Sequence, residues 1–366
     1  MKIPQALLEI SESAAIHNFN HFRQLLKPET KMLVLVKSNS YGHGGVEFAH
    51  LMVKAGADYF GVATLDEGIN LRKAGFSTPI LALSAGADCF SDMIQYDLEP
   101  GIPTIEYLKK LTIILRSLGI TRYPIHIKLD TGMHRLGFEK KDIGELLDFL
   151  RECPEEIEVR SCYSHLAASD EPQHDQFTLG QISLFTELCD QIAAVLPYRP
   201  MRHILNSAGI ERFTEYQMDM VRLGVGVYGI SATDSKDLLP AASLKCPILQ
   251  IKTLTEGTVG YGRKGKLHRD VTTTATIRIG YGDGINRHLG GGNASFMVNG
   301  HMAPTIGNIC MDMCMLDITG IDAKVGDTVT IFGEKPSVCD LAKILDTIPY
   351  EIFTGIDRRL KRVIVK

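Results

Sequence analysis

In "MLVLVKSNSYGHGG", Met32 to Gly45, an apolar run leads straight into Lys37, and a turn carrying Tyr41, His43 and glycines follows. A primary amine beside hydroxyls and backbone amides can condense with a carbonyl, provided it is held out of bulk water so that its neutral form is available. Taken alone, a lysine there reads as a solvated strand end. Polar groups recur after other apolar runs, however. "KLDTGMHRLG" carries Lys128, Asp130 and Arg135; "SHLAASD" carries Ser164, His165 and Asp170. "LNSAG" adds Asn206 and Ser207, and "VRLGVGVYG" adds Arg222, Gly224, Val225 and Gly226. Amides and titratable groups at the ends of so many runs point to one shared site.

The elements that must position them can be read from the same runs. Strands are predicted at 31–37, 58–63, 79–84, 93–100, 123–130, 157–165, 202–206 and 219–224; apolar runs such as 31–35 and 79–83, without polar alternation, indicate strands buried on both faces. Amphipathic stretches such as "GVEFAHLMVKAG", "TIEYLKKLTIILRSLG" and "QISLFTELCDQIAAVL" lie between them, the signature of parallel βαβ units. Eight such units predict an α/β fold, a (β/α)8 TIM-type barrel, with its site at the C-terminal ends of the strands. A doubly wound open sheet is the competitor, but no strand is followed by GxGxxG.

After about residue 235 the texture becomes alternating and rich in Gly, Asn and Pro, with "SVCDLAKILDT" as the one helical stretch. A C-terminal, mainly antiparallel β domain is therefore predicted over 240–366, after a barrel over 1–239. The strand-like "ALLEISESA" near the start is a candidate to join the β domain. A chain of 366 residues accords with two domains.

Composition narrows the partners. A formal charge of −4 with scattered lysines and arginines gives no footprint for nucleic acid or an anionic membrane. No apolar run approaches the roughly 18 residues of a membrane span, and the opening "MKIPQALLEISES" lacks a secretory h-region. The eight cysteines, among them Cys89, Cys153, Cys162, Cys189 and Cys246, are spread without zinc spacing, so no metal is expected. Cys310 and Cys314 sit in the strand-like "NICMDMCML". Reduced thiols in a cytoplasmic protein are the plain expectation.

Loops after the seventh and eighth barrel strands, with a helix N-terminus, form the usual phosphate site of such barrels. Ser207 opens a short helical segment there and Gly224-Val225 follow the last strand, although Ser207 also reads as an ordinary helix cap. A lysine and a phosphate cradle on one face suggest a carbonyl cofactor bearing a phosphate. Pyridoxal 5′-phosphate meets that description.

At this point "VKSNSYGHG" resembles the "VKANAYGHG" signature of the alanine racemases. The resemblance runs on in order through "KLDTGMHRLGF", "SHLAASDE", "NSAG", "RLGVGVYG", "VGYG", "GYGDGINR" and "ICMDM". It implies a barrel, a β domain and a homodimer whose sites combine one subunit's barrel with the other's β domain. The implied reaction interconverts L- and D-alanine by two bases, supplying D-alanine for peptidoglycan. By resemblance Lys37 forms the internal aldimine and serves one face of the substrate, while Tyr261 in "TVGYGRKG" serves the other. Arg222 matches the arginine facing the pyridine nitrogen, with His203 orienting it and His165 supporting the network. A guanidinium there has no lone pair to accept the ring's proton and disfavours a pyridinium, which weakens the electron sink.

The resemblance also gives Tyr41, Asn206, Ser207, Gly224 and Val225 to the phosphate. Arg135, Met311 and Asp312 match substrate-carboxylate positions, and Lys128 matches a lysine that is carbamylated in some members. Tyr281, Asp170, Asn308 and Arg358 fall at the substrate entrance. Departures are Ser38 and Ser40 where alanine is common, Asn308 where several relatives have arginine, and Arg358 in the expected place of a gate-forming tyrosine. They leave serine or a longer amino acid open as substrate. A non-catalytic pyridoxal-phosphate-binding barrel and a related decarboxylase are the other readings. The β domain argues against the first of these and the "VGYG" turn against the second.

Overall fold

The chain opens with β1 (Leu7–Ser11) and a helix over Glu12–Gln24, then alternates strands and helices. The strands are β2 (Lys31–Leu35), β3 (Tyr59–Val62), β4 (Ile80–Ala82), β5 (Glu99–Ile102), β6 (Tyr123–Lys128), β7 (Ile157–Tyr163), β8 (Met201–His203) and β9 (Met220–Leu223). This computed structural model describes residues 5–152, 155–233 and 235–366, so the expectation for Cys153 lies outside the described residues. Contacts divide the described chain into two compact units. One comprises Ile16–Ser40 and Gly45–Leu238; the other comprises Met1–Ala15, Tyr41–Gly44 and Leu239–Lys366.

The first unit is a parallel barrel. Its strands run in the order β8-β7-β6-β5-β4-β3-β2-β9. Val34 of β2 stands opposite Phe60 of β3 and Leu33 opposite Arg222 of β9. Backbone hydrogen bonds from Asp219 N to Arg202 O (3.2 Å) and Arg222 N to Leu205 O (3.0 Å) bring the last two strands together. Every residue of β3, β4, β5 and β9 is buried, as expected of strands covered on both faces. The helix Ile105–Leu118 shows how the outer layer is built. Thr104 caps it by accepting from Tyr107 N, left-handed Gly119 ends it, and Ile105, Leu108, Leu111 and Leu115 form its buried stripe.

Two predicted elements differ. The strand expected at 93–100 is instead a helix over Phe90–Gln95 followed by β5. Phe90 and Met93 are three residues apart and both buried, so the apolar pattern there was helical, and Asp97 at φ 50° makes the turn into the strand. The alternating stretch 6–14 is a strand only to Ser11, whose hydroxyl accepts from Ala14 N (3.1 Å) and caps the next helix.

The second unit is mainly antiparallel, as the sequence texture predicts. Its strands are β10 (Ala242–Leu254), β11 (Thr258–Val259), β12 (Gly265–Lys266), β13 (Thr272–Ile277), β14 (Ser295–Val298), β15 (His301–Pro304), β16 (Cys314–Asp317), β17 (Thr328–Phe332) and β18 (Lys361–Val365). The main path is β15-β14-β17-β10-β1-β18, and β13 joins β10 to β16. Among the described residues, β1 with β18 is the one parallel pair in this unit. Asn299-Gly300, both at positive φ, form the two-residue turn between β14 and β15. Helices cover Val338–Ile344 and Pro349–Gly355, the second unmarked by the sequence pattern. Cys314 opens β16, but Cys310 lies outside any strand, contrary to its expected strand-like setting. Among the described residues no helix is long and apolar enough to cross a membrane.

Candidate active site

The polar groups gather where the barrel strands end. β2 stops at Leu35, two residues before Lys37, and the chain then makes a left-handed turn. Ser38, Asn39, Ser40 and Tyr41 all have φ between 50° and 56°. Left-handed backbone costs L-residues about 1–2 kcal/mol each, so a run of them persists only where the surroundings dictate it. Here Ser40 N donates to Val36 O (3.0 Å), Asn39 Oδ1 accepts from Gly45 N (2.8 Å), and Ser38 N donates to Glu67. Glu67 also accepts from Ala63 N (2.8 Å), so one carboxylate ties the turn to the end of β3. The Thr64-x-x-Glu67 capping spacing was the available sequence signal for it.

The turn holds Lys37 half-buried. Burial lowers its pKa, and the Arg135 cation lowers it further against the opposing effect of Glu67. Lys128, at the end of β6, is more strongly perturbed: burial, then Arg222 and Arg135, bring it down to about 7. Its Nζ lies 4.7 Å from the centre of the Tyr163 ring. That ring stacks on His203 at 5.2 Å, and a Cβ at Gly101 would come within 2.3 Å of its hydroxyl. Asp130 shapes the following loop. Burial raises its pKa, but backbone donors Gly132 N, His134 N and Arg135 N outweigh that and hold it low.

Arg222 is the best-anchored group. At 3% exposure, its guanidinium donates to His203 O (2.9 Å), Ile204 O (3.0 Å) and Ser164 O. It also meets His203 Nδ1 at 3.0 Å and His165 Nδ1 at 3.3 Å. Burial lowers its pKa to about 10, which leaves it a cation at neutral pH. Burial and then the same cation hold both histidines well below their usual range, so both rings are neutral acceptors.

Asn206 and Ser207 lie beyond β8. Asn206, not Ser207, caps the short helix Ser207–Arg212, accepting from Gly209 N (2.8 Å). Ser207 Oγ instead accepts from Gly224 N (2.9 Å) and Gly226 N (3.2 Å), which leaves its own O–H to donate. Asp170 is exposed after β7 and Arg135 is exposed in its loop.

The second unit holds the remaining predicted residues. Tyr261 sits at the tip of the β11–β12 hairpin, 71% exposed, with its carbonyl accepting from Asn308 Nδ2 (3.1 Å). Tyr281 and Met311, both exposed, lie on loops joined by Tyr281 N to Cys310 O (3.0 Å) and Gly282 N to Met311 O (2.8 Å). Arg359 clamps those loops, reaching Asp283 Oδ1 at 2.8 Å and Asp312 Oδ1 at 2.9 Å. Tyr41 is buried with its ring 5.9 Å from that of Tyr350. Burial and then Tyr350 raise its pKa. Arg358 is exposed, and Tyr350 is the aromatic the structure brings to Tyr41. Tyr350 carries no local signal of this contact, because its partner lies hundreds of residues away along the chain.

Known proteins are similar to this chain over its whole length. The profile described as "Alanine racemase, N-terminal domain" matches residues 10–232, and "Alanine racemase, C-terminal domain" matches 241–364. The chain belongs to the alanine racemase family. It is 34% identical over 373 residues to the alanine racemase of Synechocystis sp., covering 99% of both chains. It is 35% identical to that of Methanococcus maripaludis, covering 97% of both. The solved alanine racemase of Clostridium difficile is 33% identical with a TM-score of 0.92, over 100% of this chain and 96% of that one. As a family member, the chain has the barrel and the β domain that the motif resemblance implies.

Proposed function

We propose that this chain is a pyridoxal-phosphate-dependent racemase that interconverts L- and D-alanine. The observation carrying this is Lys37, a half-buried amine of lowered pKa on the strand-end face that also fixes Arg222. The family's names add weight, and a further structure of the Clostridium difficile enzyme is a complex with cycloserine.

The donor set fits the cofactor. Lys37 Nζ, neutral at a lower pH than an ordinary lysine, is the amine that meets its carbonyl. Ser207 O–H and the loop at Gly224 and Val225 suit its phosphate, with Tyr41 assigned to the same group. Arg222 is assigned to the ring nitrogen, where a guanidinium held on several acceptors has no lone pair with which to take a proton. When bound, the cofactor supplies the electron-withdrawing ring that acidifies the substrate Cα–H.

The chain's own groups move the proton. Lys37 Nζ takes it from one face of Cα, and the phenol of Tyr261 from a second copy of the chain returns one to the other face. Reversal of these roles runs the opposite direction. Arg135 and the Met311-Asp312 loop orient the substrate carboxylate, and the neutral amine of Lys128 is free to react with carbon dioxide and pair with Arg135. Tyr281, Asp170, Asn308 and Arg358 are assigned to the entrance. The chain is assigned as a homodimer, a reading that the outward presentation of Tyr261 supports, and D-alanine for peptidoglycan is the product's use.

Incubation with L-alanine and cofactor in D₂O tests this. Deuterium should enter Cα as the sample loses optical rotation; retained rotation without deuterium overturns the reading.

A further inference from the structure

Behind Arg222 a line of buried side chains crosses the barrel interior. His203 Nε2 lies 2.8 Å from Ser161 Oγ, Ser161 Oγ lies 2.6 Å from His126 Nδ1, and His126 Nε2 lies 2.6 Å from Glu99 Oε2. The contributing strands are β9, β8, β7, β6 and β5, which are successive neighbours around the barrel. Exposure is 3% at Arg222, 0% at His203, Ser161 and His126, and 7% at Glu99. Polar atoms this deep need partners: each inner member of the line has one on either side, and Glu99 at its end also faces Arg160 and Tyr59.

The line has one sense. The guanidinium carries only donors, so His203 Nδ1 must accept and His203 Nε2 must bear the hydrogen. That N–H donates to Ser161 Oγ, and His126 Nε2–H donates to the Glu99 carboxylate; with His126 as the neutral ring, the Ser161 O–H donates to His126 Nδ1 and completes the line. A cation at one end and an anion at the other polarise every link the same way. Tyr163, stacked on His203 with an interplanar angle of 13°, keeps that ring in plane.

We propose that Glu99, His126 and Ser161 are positioning residues that act through His203 to hold the Arg222 guanidinium in one orientation. The catalytic consequence rests on the reading above, in which Arg222 faces the cofactor's ring nitrogen. The orientation itself does not.

The test uses the full chain, with and without pyridoxal phosphate, labelled with nitrogen-15 at histidine and arginine. In the parent, His203 and His126 should both give a pyrrole-type Nε2 and a pyridine-type Nδ1, and the Arg222 Nη hydrogens should give separate signals. In Ser161→Ala those Nη signals should merge as the guanidinium begins to rotate. The kcat for alanine should fall by up to about a hundredfold, as for a slightly misplaced group, with KM near the parental value. Ser161→Thr, which keeps the hydroxyl, should restore both readouts. If Ser161→Ala does not fold, Glu99→Gln carries the same test with a smaller merging, because it keeps an acceptor and drops the charge. The opposite tautomer at either histidine, or separate Nη signals surviving in the variant, overturns the proposal. If the Nη signals respond while the parent shows no racemisation, the relay stands and the racemase reading fails.

Discussion

Arg222 and Tyr261 are held in opposite ways. Arg222 is 3% exposed and spends its guanidinium on carbonyls and histidines of neighbouring strands. Tyr261 is 71% exposed at a hairpin tip, and Tyr281 and Met311, in the same unit, lie on segments tied by backbone bonds and one arginine. The barrel sets charge states by itself: burial and clustered cations depress Lys37, Lys128, His165 and His203. The hairpin sets only a position. A phenol presented that openly acquires a defined environment when another surface covers it, which is the physical argument for a site completed by a second copy.

Breaking the barrel side should have the largest effect. Lys37→Ala removes the amine, and racemisation should fall below detection together with the visible absorbance of lysine-bound cofactor; unchanged absorbance would mean that another lysine, such as Lys128, holds it. Next in size, Tyr261→Phe should lower kcat by roughly a thousandfold, the scale of a lost general acid–base group. Its melting temperature should stay at the parental value, because the hydroxyl has no hydrogen bond among the described residues.

Mixing these two dead variants sharpens the contrast. Exchange between subunits should recover about a quarter of the parental rate, the statistical share of intact sites in a two-fold dimer. No recovery in a sample shown to contain mixed dimers would place both residues in one chain's site.

Lys128 gives a pH signature confined to the barrel. Its pKa is about 7 in the folded chain and ordinary when unfolded, so between roughly pH 7 and 10 the unfolded chain binds the extra proton. Folding stability from this group is therefore present at high pH and is lost as pH falls toward 7, by up to about 5 kcal/mol. Lys128→Met should flatten that slope in urea titrations and raise stability at pH 7; an unchanged slope would assign it elsewhere.

The smallest effect concerns the strained turn. Ser38 is exposed at φ 51°, so Ser38→Gly should raise unfolding free energy by roughly 0.5 kcal/mol, relief of strain less the added chain entropy. Destabilisation there would show that the serine side chain holds the turn.

Much of this was legible in the residues. The barrel strands announce themselves as apolar runs because they are covered on both faces, and "VNGH" announces its hairpin because Asn-Gly tolerates positive φ. The helix at 90–95 was misread because a short apolar run has no length with which to show its period. Tyr350 was missed because its pairing with Tyr41 joins positions hundreds of residues apart.

The sequence by itself determined the two textures, the strand ends that carry Lys37, Lys128 and Arg222, and the motif order that identifies the family. These are local properties, written in periodicity and residue type. Only the tertiary structure decided that Ser38 to Tyr41 run left-handed, that Asn206 is the cap and Ser207 the bridge to Gly224, and that Glu99 stands at the far end of a line from Arg222. Each of those depends on partners brought together by neighbouring strands. A side chain's protonation and orientation follow from what surrounds it in space, and the order of residues along the chain does not specify those surroundings.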